Sequence, residues 1–493
     1  MVKLLTNEEL KFFSNFTRSV MVNPFTEERR LLHTLVTSKY LTGQSVGVHF
    51  FKSLQPLLTA NIAELEKRNL TTFQQFNGQE RKILYFSYIA EVYLDYIEPL
   101  DDLIKRQLAS KTSSVTFPEG EPIIAKLVSR GFIEKEALSL LELLYQFRRA
   151  YLFINTGLVG QCDAITRLRE SLWNNLFTSD VFNYHRSLWD NMEDFSVFLV
   201  GETGTGKGAA AFALGRSVHI TFDRKTACFS ENFNQTFISA NLSQFAENLI
   251  ESELFGHRKG AFTGAVEQHK GLFSQCNSHG LLFLDEIGNL SQNIQIKLLK
   301  VLQERKFVPV GSYIEESFHG RIVAAANQSL HDLRKDEMLR DDFYYRLCSD
   351  VIEIPSLRQR INESKNELEI LVAELVSRIC GNKDDNIVDR VLTALAQGLP
   401  KDYYWPGNVR ELEQAIRRVI LSGSYLGDRF HHQHNDVGSM PQFNREHLDL
   451  KDFSKRYCFK LYQQLGSYEA VAKKTNLDRR TVKKYILESN SGK

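Results

Sequence analysis

Along the first 155 residues, apolar side chains recur at the three- and four-residue spacing of buried helix faces, as in Arg81–Ile97. Glycine is sparse there, and no internal repeat or chemical motif stands out. From about residue 158 the pattern changes. Short continuous apolar runs, Phe195–Val200, Phe237–Ala240, Leu281–Leu284, Ile322–Ala326 and Val351–Ile354, alternate with longer helical stretches. Continuous hydrophobicity suits strands buried on both faces, hence a parallel sheet covered by helices. After Pro355 the helical pattern returns and runs to Leu421. Residues 422–449 are rich in Gly, His, Asn and Asp and read as a linker. The chain ends in a short helical segment. The expected plan is a helical region 1–155, an α/β domain 156–356, a helical subdomain 357–421, the linker 422–449 and a small helical domain 450–493.

The first apolar run leads into the candidate chemistry. Phe195–Val200 is followed directly by Gly201-Glu202-Thr203-Gly204-Thr205-Gly206-Lys207, and a helical pattern runs on to Arg216. A strand, a glycine-rich loop and a helix in this order make a phosphate-binding loop. Glycines let backbone amides face a triphosphate. The helix N-terminus adds partial positive charge, and Lys207 adds a full one. The generic pattern places Ser or Thr after the lysine to reach Mg²⁺; Gly208 stands there instead. Leu281–Leu284 ends in Asp285-Glu286, the acidic pair such a site requires. Asp285 is expected to hold Mg²⁺ through its water shell, and Glu286 to polarise the attacking water. Either motif alone has a plain structural reading, a glycine turn or two surface acids at a sheet edge; their order makes both chemical.

From here the chain resembles the AAA+ activators of sigma-54 RNA polymerase, the bacterial enhancer-binding proteins. The carrying stretch is Glu251-Ser252-Glu253-Leu254-Phe255-Gly256-His257-Arg258-Lys259 followed by Gly260-Ala261-Phe262-Thr263-Gly264-Ala265, the family's GAFTGA signature. The match continues through Leu284–Gly288, Gln295–Gln303, Arg340–Leu347 and Trp405-Pro406-Gly407-Asn408-Val409-Arg410-Glu411-Leu412. It covers about 160–421 and resumes at the C-terminus.

The resemblance implies an ATPase that assembles from dimers into a hexameric or similar ring, with ATP and Mg²⁺ as cofactors. It implies that Gly260–Ala265 contacts sigma-54, with Phe262 and Thr263 at the tip. It also implies roles for single residues. Asn327 is sensor I, and Asn241 is the switch partner of Glu286. Arg340 and Arg346 stand where the family has arginine fingers for a neighbour's ATP; a helix-surface ion pair with Asp341 or Asp342 is the alternative for either one, and the finger role is expected of at least one of the two. Arg410 is sensor II on a helical lid, 357–421. Gly160-Gln161-Cys162 borders the adenine. Three departures stand out. Gly208 replaces the family's Glu, Ala326 replaces the Thr before sensor I, and extra stretches occur around Thr178–Glu193 and Ile220–Asn234. The latter are expected to reshape the outer surface of the ring.

Charge changes the picture at one end only. The net charge of the whole chain is +1, yet residues 451–493 hold eleven Lys or Arg against four Asp or Glu, a net of +7. Two short helices can be read around Thr475-Asn476-Leu477, with Asp478 as N-cap of the second. Val482, Tyr485 and Ile486 face inward at i, i+3, i+4, and Arg479, Arg480, Lys483 and Lys484 face outward. The arrangement resembles a Fis-type helix-turn-helix, which implies enhancer DNA as a partner.

Six scattered cysteines, without a Cys-x-x-Cys, suit reduced thiols in a cytoplasmic protein. The N-terminus lacks a secretory pattern, and no run of about 18 apolar residues predicts a membrane span. His431, His432 and His434 lack spaced partner ligands and read as solvated linker. Asp95 and Asp101 lack the alternating strands of a phosphoacceptor domain. The leading expectation is a DNA-anchored ATPase that remodels the sigma-54 RNA polymerase holoenzyme. The alternatives are a DNA-binding regulator with a relic motor and an AAA+ remodeller of another protein. For residues 1–155 the sequence supports only a regulatory region whose signal it does not name.

Overall fold

The computed structural model describes residues 4–37, 46–110, 115–278, 280–335, 338–427 and 450–490. The chain divides into two compact units, 1–425 and 426–493. The first unit opens with α1 (Asn7–Met21), α2 (Glu27–Thr37), α3 (Val46–Lys67), α4 (Gly78–Asp95), α5 (Ile97–Ala109), α6 (Gly120–Ser129) and α7 (Glu134–Gly157), as the apolar periodicity predicts. The first is closed by a capping box in which Thr6 and Glu9 satisfy each other's backbone N–H groups.

After α8 (Asp163–Phe177) come the strands β1 (Val197–Val200), β2 (Phe222–Asp223), β3 (Cys228–Phe229), β4 (Phe237–Asn241), β5 (Leu281–Asp285), β6 (Lys306–Phe307), β7 (Glu316–Ser317), β8 (Arg321–Ala326) and β9 (Asp350–Glu353). Five of them, ordered β4-β5-β8-β1-β9, form one sheet whose neighbouring strands all run parallel. These are the five apolar runs of the sequence, with ends shifted by up to two residues. The three central strands of the sheet, β1, β5 and β8, are buried on both faces by strict alternation. Val197, Leu199, Leu281, Phe283, Val323 and Ala325 join one core, and Phe198, Leu282, Leu284, Ile322 and Ala324 join the other. The remaining strands form the two-stranded hairpins β2–β3 and β6–β7. Four helices follow, Leu357–Glu363, Glu367–Cys380, Asp385–Gly398 and Asn408–Ser422, around a core of their own.

The first of the two sheet cores does not stop at residue 156. It runs without a break from Leu5 through α7 and α8 to Ile354. Arg149 of α7 is fully buried; its guanidinium lies over the Tyr145 ring and donates to the carbonyls of Arg216 and Val218, at 2.8 and 2.7 Å. The two extra stretches noted in the sequence pack here, against the N-terminal helices. In 220–234, Phe229 stacks on Tyr145 at 3.8 Å, Phe233 meets Phe153 at 5.2 Å, and Arg224 pairs with Glu121 and Glu134. In 178–193, Tyr184 donates to Gln146 and His185 bonds Ser139.

The second unit holds three helices, Leu450–Leu465, Tyr468–Thr475 and Arg479–Asn490. Val471, Val482 and Ile486 form its core with Cys458 and Leu461. Residues 428–449, with His431, His432 and His434, lie outside the described residues. Among the described residues, no helix is long and apolar enough to cross a membrane, and no cluster of three metal-ligating side chains occurs. All six cysteines are free thiols.

Candidate nucleotide site and target loop

The loop after β1 folds as its glycines require. Gly204 and Gly206 take φ of +79° and +113°, and the helix Lys207–Gly215 starts immediately after them. A Cβ at Gly204 would fall 2.2 Å from the carbonyl of Gly407, so the lid approaches the loop closely at that point. Thr203, Gly204, Thr205, Gly206, Lys207 and Gly208 line a cavity of about 350 Å³ together with Asn241, Asp285, Glu286 and Arg410. Parallel pairing puts Asn241 beside Asp285, at the C-terminal ends of β4 and β5. This edge of a parallel α/β sheet is where ligands collect.

The electrostatics suit a polyanion and a divalent cation. Lys207 is buried, and its Nζ donates to the carbonyls of Gly201 and Glu202, at 2.6 and 3.2 Å. Burial lowers its pKa, against the opposing pull of Asp285 and Glu286. Burial raises the pKa of Glu286, as does the charge of Asp285. Glu286 has a left-handed backbone, φ +61°, and its N–H donates to Asp285 Oδ1 at 3.0 Å. The fit to a nucleoside triphosphate is good: amide-lined glycines, a buried lysine and Arg410 face two carboxylates. Mg²⁺ keeps several waters and needs only one or two protein carboxylates, which Asp285 and Glu286 can supply. No hydroxyl comes from position 208; a Cβ there would meet nothing within 4 Å.

Other expected residues sit differently. Gly201, Glu202 and Asn327 line a neighbouring cavity of about 450 Å³. Asn241 accepts from the N–H and Oγ of Ser243, and a pairing with Glu286 is not formed. Gly160 and Gln161 stand beside the lining residues Gly157, Leu158 and Val159. Their neighbour is Glu367, which is fully buried and accepts from Gln161 N, Cys162 N and Arg360. A Cβ on Gly160 would collide with that carboxylate at 2.2 Å. Arg340 makes a two-pronged pair with Asp342, at 3.0 and 2.9 Å, and Arg346 donates to the carbonyl of Leu302, at 3.1 and 3.0 Å. Neither lines the cavity of its own chain. The sequence reading missed Arg358, Arg360, Glu367 and the side chain of Asn408. The only signal for Arg358, Arg360 and Glu367 was the charged run after Pro355, and single charges at a helix start are common.

The Gly260–Ala265 loop stands apart from this cavity. Gly260 and Gly264 have φ of +81° and +103°. The loop closes through Gly260 N–H to Ala265 C=O at 2.8 Å, and Gly311 backs so closely on Ala261 that a Cβ there would lie 2.7 Å from Ala261 Cβ. Phe262 is 39% exposed, with its ring edge to face against His257 at 4.9 Å, and Thr263 is exposed. In the second unit, Asn476 takes the left-handed turn, Asp478 accepts from Arg480 N–H at 2.7 Å, and Arg479, Arg480, Lys483 and Lys484 are all exposed.

A P-loop after β1, an acidic pair at the end of β5 and a helical lid define an AAA+-type nucleotide-binding module. Residues 178–354 match the Sigma-54 interaction domain, an AAA+ ATPase module, and the resemblance to sigma-54-dependent activators holds. The chain is 39% identical over 238 residues to the transcriptional regulatory protein ZraR of Salmonella typhimurium, covering 48% of this chain and 50% of that one. It is 38% identical over 226 residues to the nitrogen fixation protein AnfA of Azotobacter vinelandii, covering 46% and 39%. The chain thus spans about half the length of the curated relatives it matches. Among solved structures, NtrX from Brucella abortus in complex with ATP aligns at 19% identity with a TM-score of 0.41, covering 75% of this chain and 80% of that one.

Proposed function

We propose that the chain is a sigma-54-dependent transcriptional activator that binds enhancer DNA through residues 450–493 and remodels the sigma-54 RNA polymerase holoenzyme by hydrolysing ATP in an oligomeric ring. The observation that carries this is the convergence of Lys207, Asp285, Glu286 and Arg410 on one cavity, with a glycine-hinged Phe-Thr loop exposed elsewhere on the same domain. In this reading Lys207 and the loop amides bind the β- and γ-phosphates. Asp285 holds Mg²⁺ through water; the metal, when bound, neutralises charge on the transferred phosphoryl group. Glu286 orients and polarises the attacking water. Arg410 fixes the lid over the nucleotide, and Asn327 reads its γ-phosphate. Arg340 or Arg346 reaches a neighbouring copy's nucleotide, for which Arg340 leaves Asp342. Phe262 and Thr263 meet sigma-54, and Arg479, Arg480, Lys483 and Lys484 meet the DNA.

Steady-state ATPase of the wild type against Lys207→Ala tests the motor: hydrolysis should fall to background, and equal rates would leave a DNA-binding regulator without a motor. Capture of sigma-54 with a trapped transition-state nucleotide tests the target. Thr263→Ala should abolish it; capture that ignores Thr263 would point to another protein target.

A further inference from the structure

Glu202 lies inside the phosphate loop, yet its side chain is directed at the lid. Its carboxylate is gripped by both terminal nitrogens of Arg358, with Nη1 to Oε2 at 2.6 Å. Asn408 Nδ2 reaches the same Oε2 at 3.1 Å and the carbonyl of Thr203 at 3.1 Å. Asn408 Oδ1 accepts from Leu357 N–H at 2.8 Å. Asn408 is fully buried with φ +51°, a left-handed backbone that asparagine tolerates better than most residues. Two residues further on is Arg410. Its N–H and that of Val409 donate to the carbonyl of Gly204, at 3.3 and 3.0 Å.

We propose that Glu202 is a positioning residue for ATP turnover: it fastens the phosphate loop to the lid and thereby fixes where Arg410 stands over the cavity. The proposal rests on the ATPase reading above. The competing explanation is a surface ion pair that only adds stability. The two side chains are 30% and 39% exposed, and pairs that open to water contribute little to stability. A two-pronged pair does, however, fix the relative orientation of the groups it joins. Here it joins the loop that cradles phosphate to the segment from which the lid helices start, and Asn408 extends the link to the helix bearing Arg410. Hydrogen bonding from Arg358 keeps the Glu202 carboxyl below its usual range, so the link persists at neutral pH.

The experiment is a kinetic cycle on the full chain, with Lys207→Ala as the control for hydrolysis itself. Glu202→Gln should lower kcat about tenfold, because small misplacements of a catalytic group are costly. Affinity for a fluorescent ADP analogue, which rests on Lys207 and the loop amides, should change less than about twofold. Glu202→Gln should add nothing further in an Arg410→Ala background, and its melting temperature should match the wild type. If the Gln variant does not fold, Arg358→Lys, which keeps the charge and loses the fork, enters the same cycle. An unchanged kcat, losses that multiply with Arg410→Ala, or a loss that tracks a falling melting temperature would each overturn the proposal. Equal rates for wild type and Lys207→Ala would instead sink the ATPase reading and leave the geometry of the link untouched.

Discussion

A fragment that starts at residue 156, the cut suggested by the change in sequence pattern, should not survive as a native-like ATPase. The cut removes α7 from a core it shares with the sheet. On the ATPase side, Phe229 and Phe233 lose the rings of Tyr145 and Phe153, and Trp173 and Phe177 lose Phe147. All four are at most 7% exposed in the intact chain. Uncovering an aromatic side chain costs roughly 1.5–3 kcal/mol, so the four together forfeit about 6–12 kcal/mol at full exposure. The carbonyls of Arg216 and Val218 also lose Arg149, but they would meet water and cost little. A whole domain is stable by only about 5–15 kcal/mol. Retaining half of that cover still costs about 3–6 kcal/mol, which for a domain this size lowers Tm by roughly 6 °C or more. The assay is thermal melting with size-exclusion chromatography of 156–493 beside the full chain. A monodisperse fragment that melts cooperatively within about 5 °C of the full chain would refute the reasoning.

The raised pKa of Glu286, caused by burial and then by Asp285, bears on activity: the ionised form polarises water, so kcat/KM should fall as pH drops through a value above 4.5. A pH profile whose acid limb lies at or below 4.5 would remove Glu286 from that role. Gly208 has free space where a side chain would start, and Gly208→Ser should fold like the wild type while placing a hydroxyl where generic P-loops touch the metal. A Mg²⁺ titration of the ATPase should then saturate at lower Mg²⁺, and an unchanged curve would mean that position 208 does not face the metal.

What the sequence makes legible here follows from the range of the forces involved. The three central sheet strands are readable because a strand buried on both faces must be apolar at every position, and Val197–Val200, Leu281–Leu284 and Ile322–Ala326 satisfy this without reference to anything distant. The phosphate loop is readable because close backbone approach forces glycine at 204, and the turn at Asn476 because a left-handed residue ends one helix and Asp478 starts the next. The link from Glu202 to Arg358 spans 156 residues, and that from Gln161 to Glu367 spans 206. Nothing local to either partner marks the other, since a glutamate in a loop and an arginine at a helix start each have an ordinary solvated reading. The extra stretches 178–193 and 220–234 show the same limit from the other side. Read against the family they are insertions, expected on an outer surface. Their apolar residues Tyr184, Phe222, Phe229 and Phe233 are too many for solvent-facing loops, and all four are buried among or beside the N-terminal helices. A surface loop does not carry four buried aromatics unless another part of the chain covers them, and here the cover includes Tyr145 and Phe153 of α7. Phe229 and Phe233 thus require α7 as much as α7 requires them.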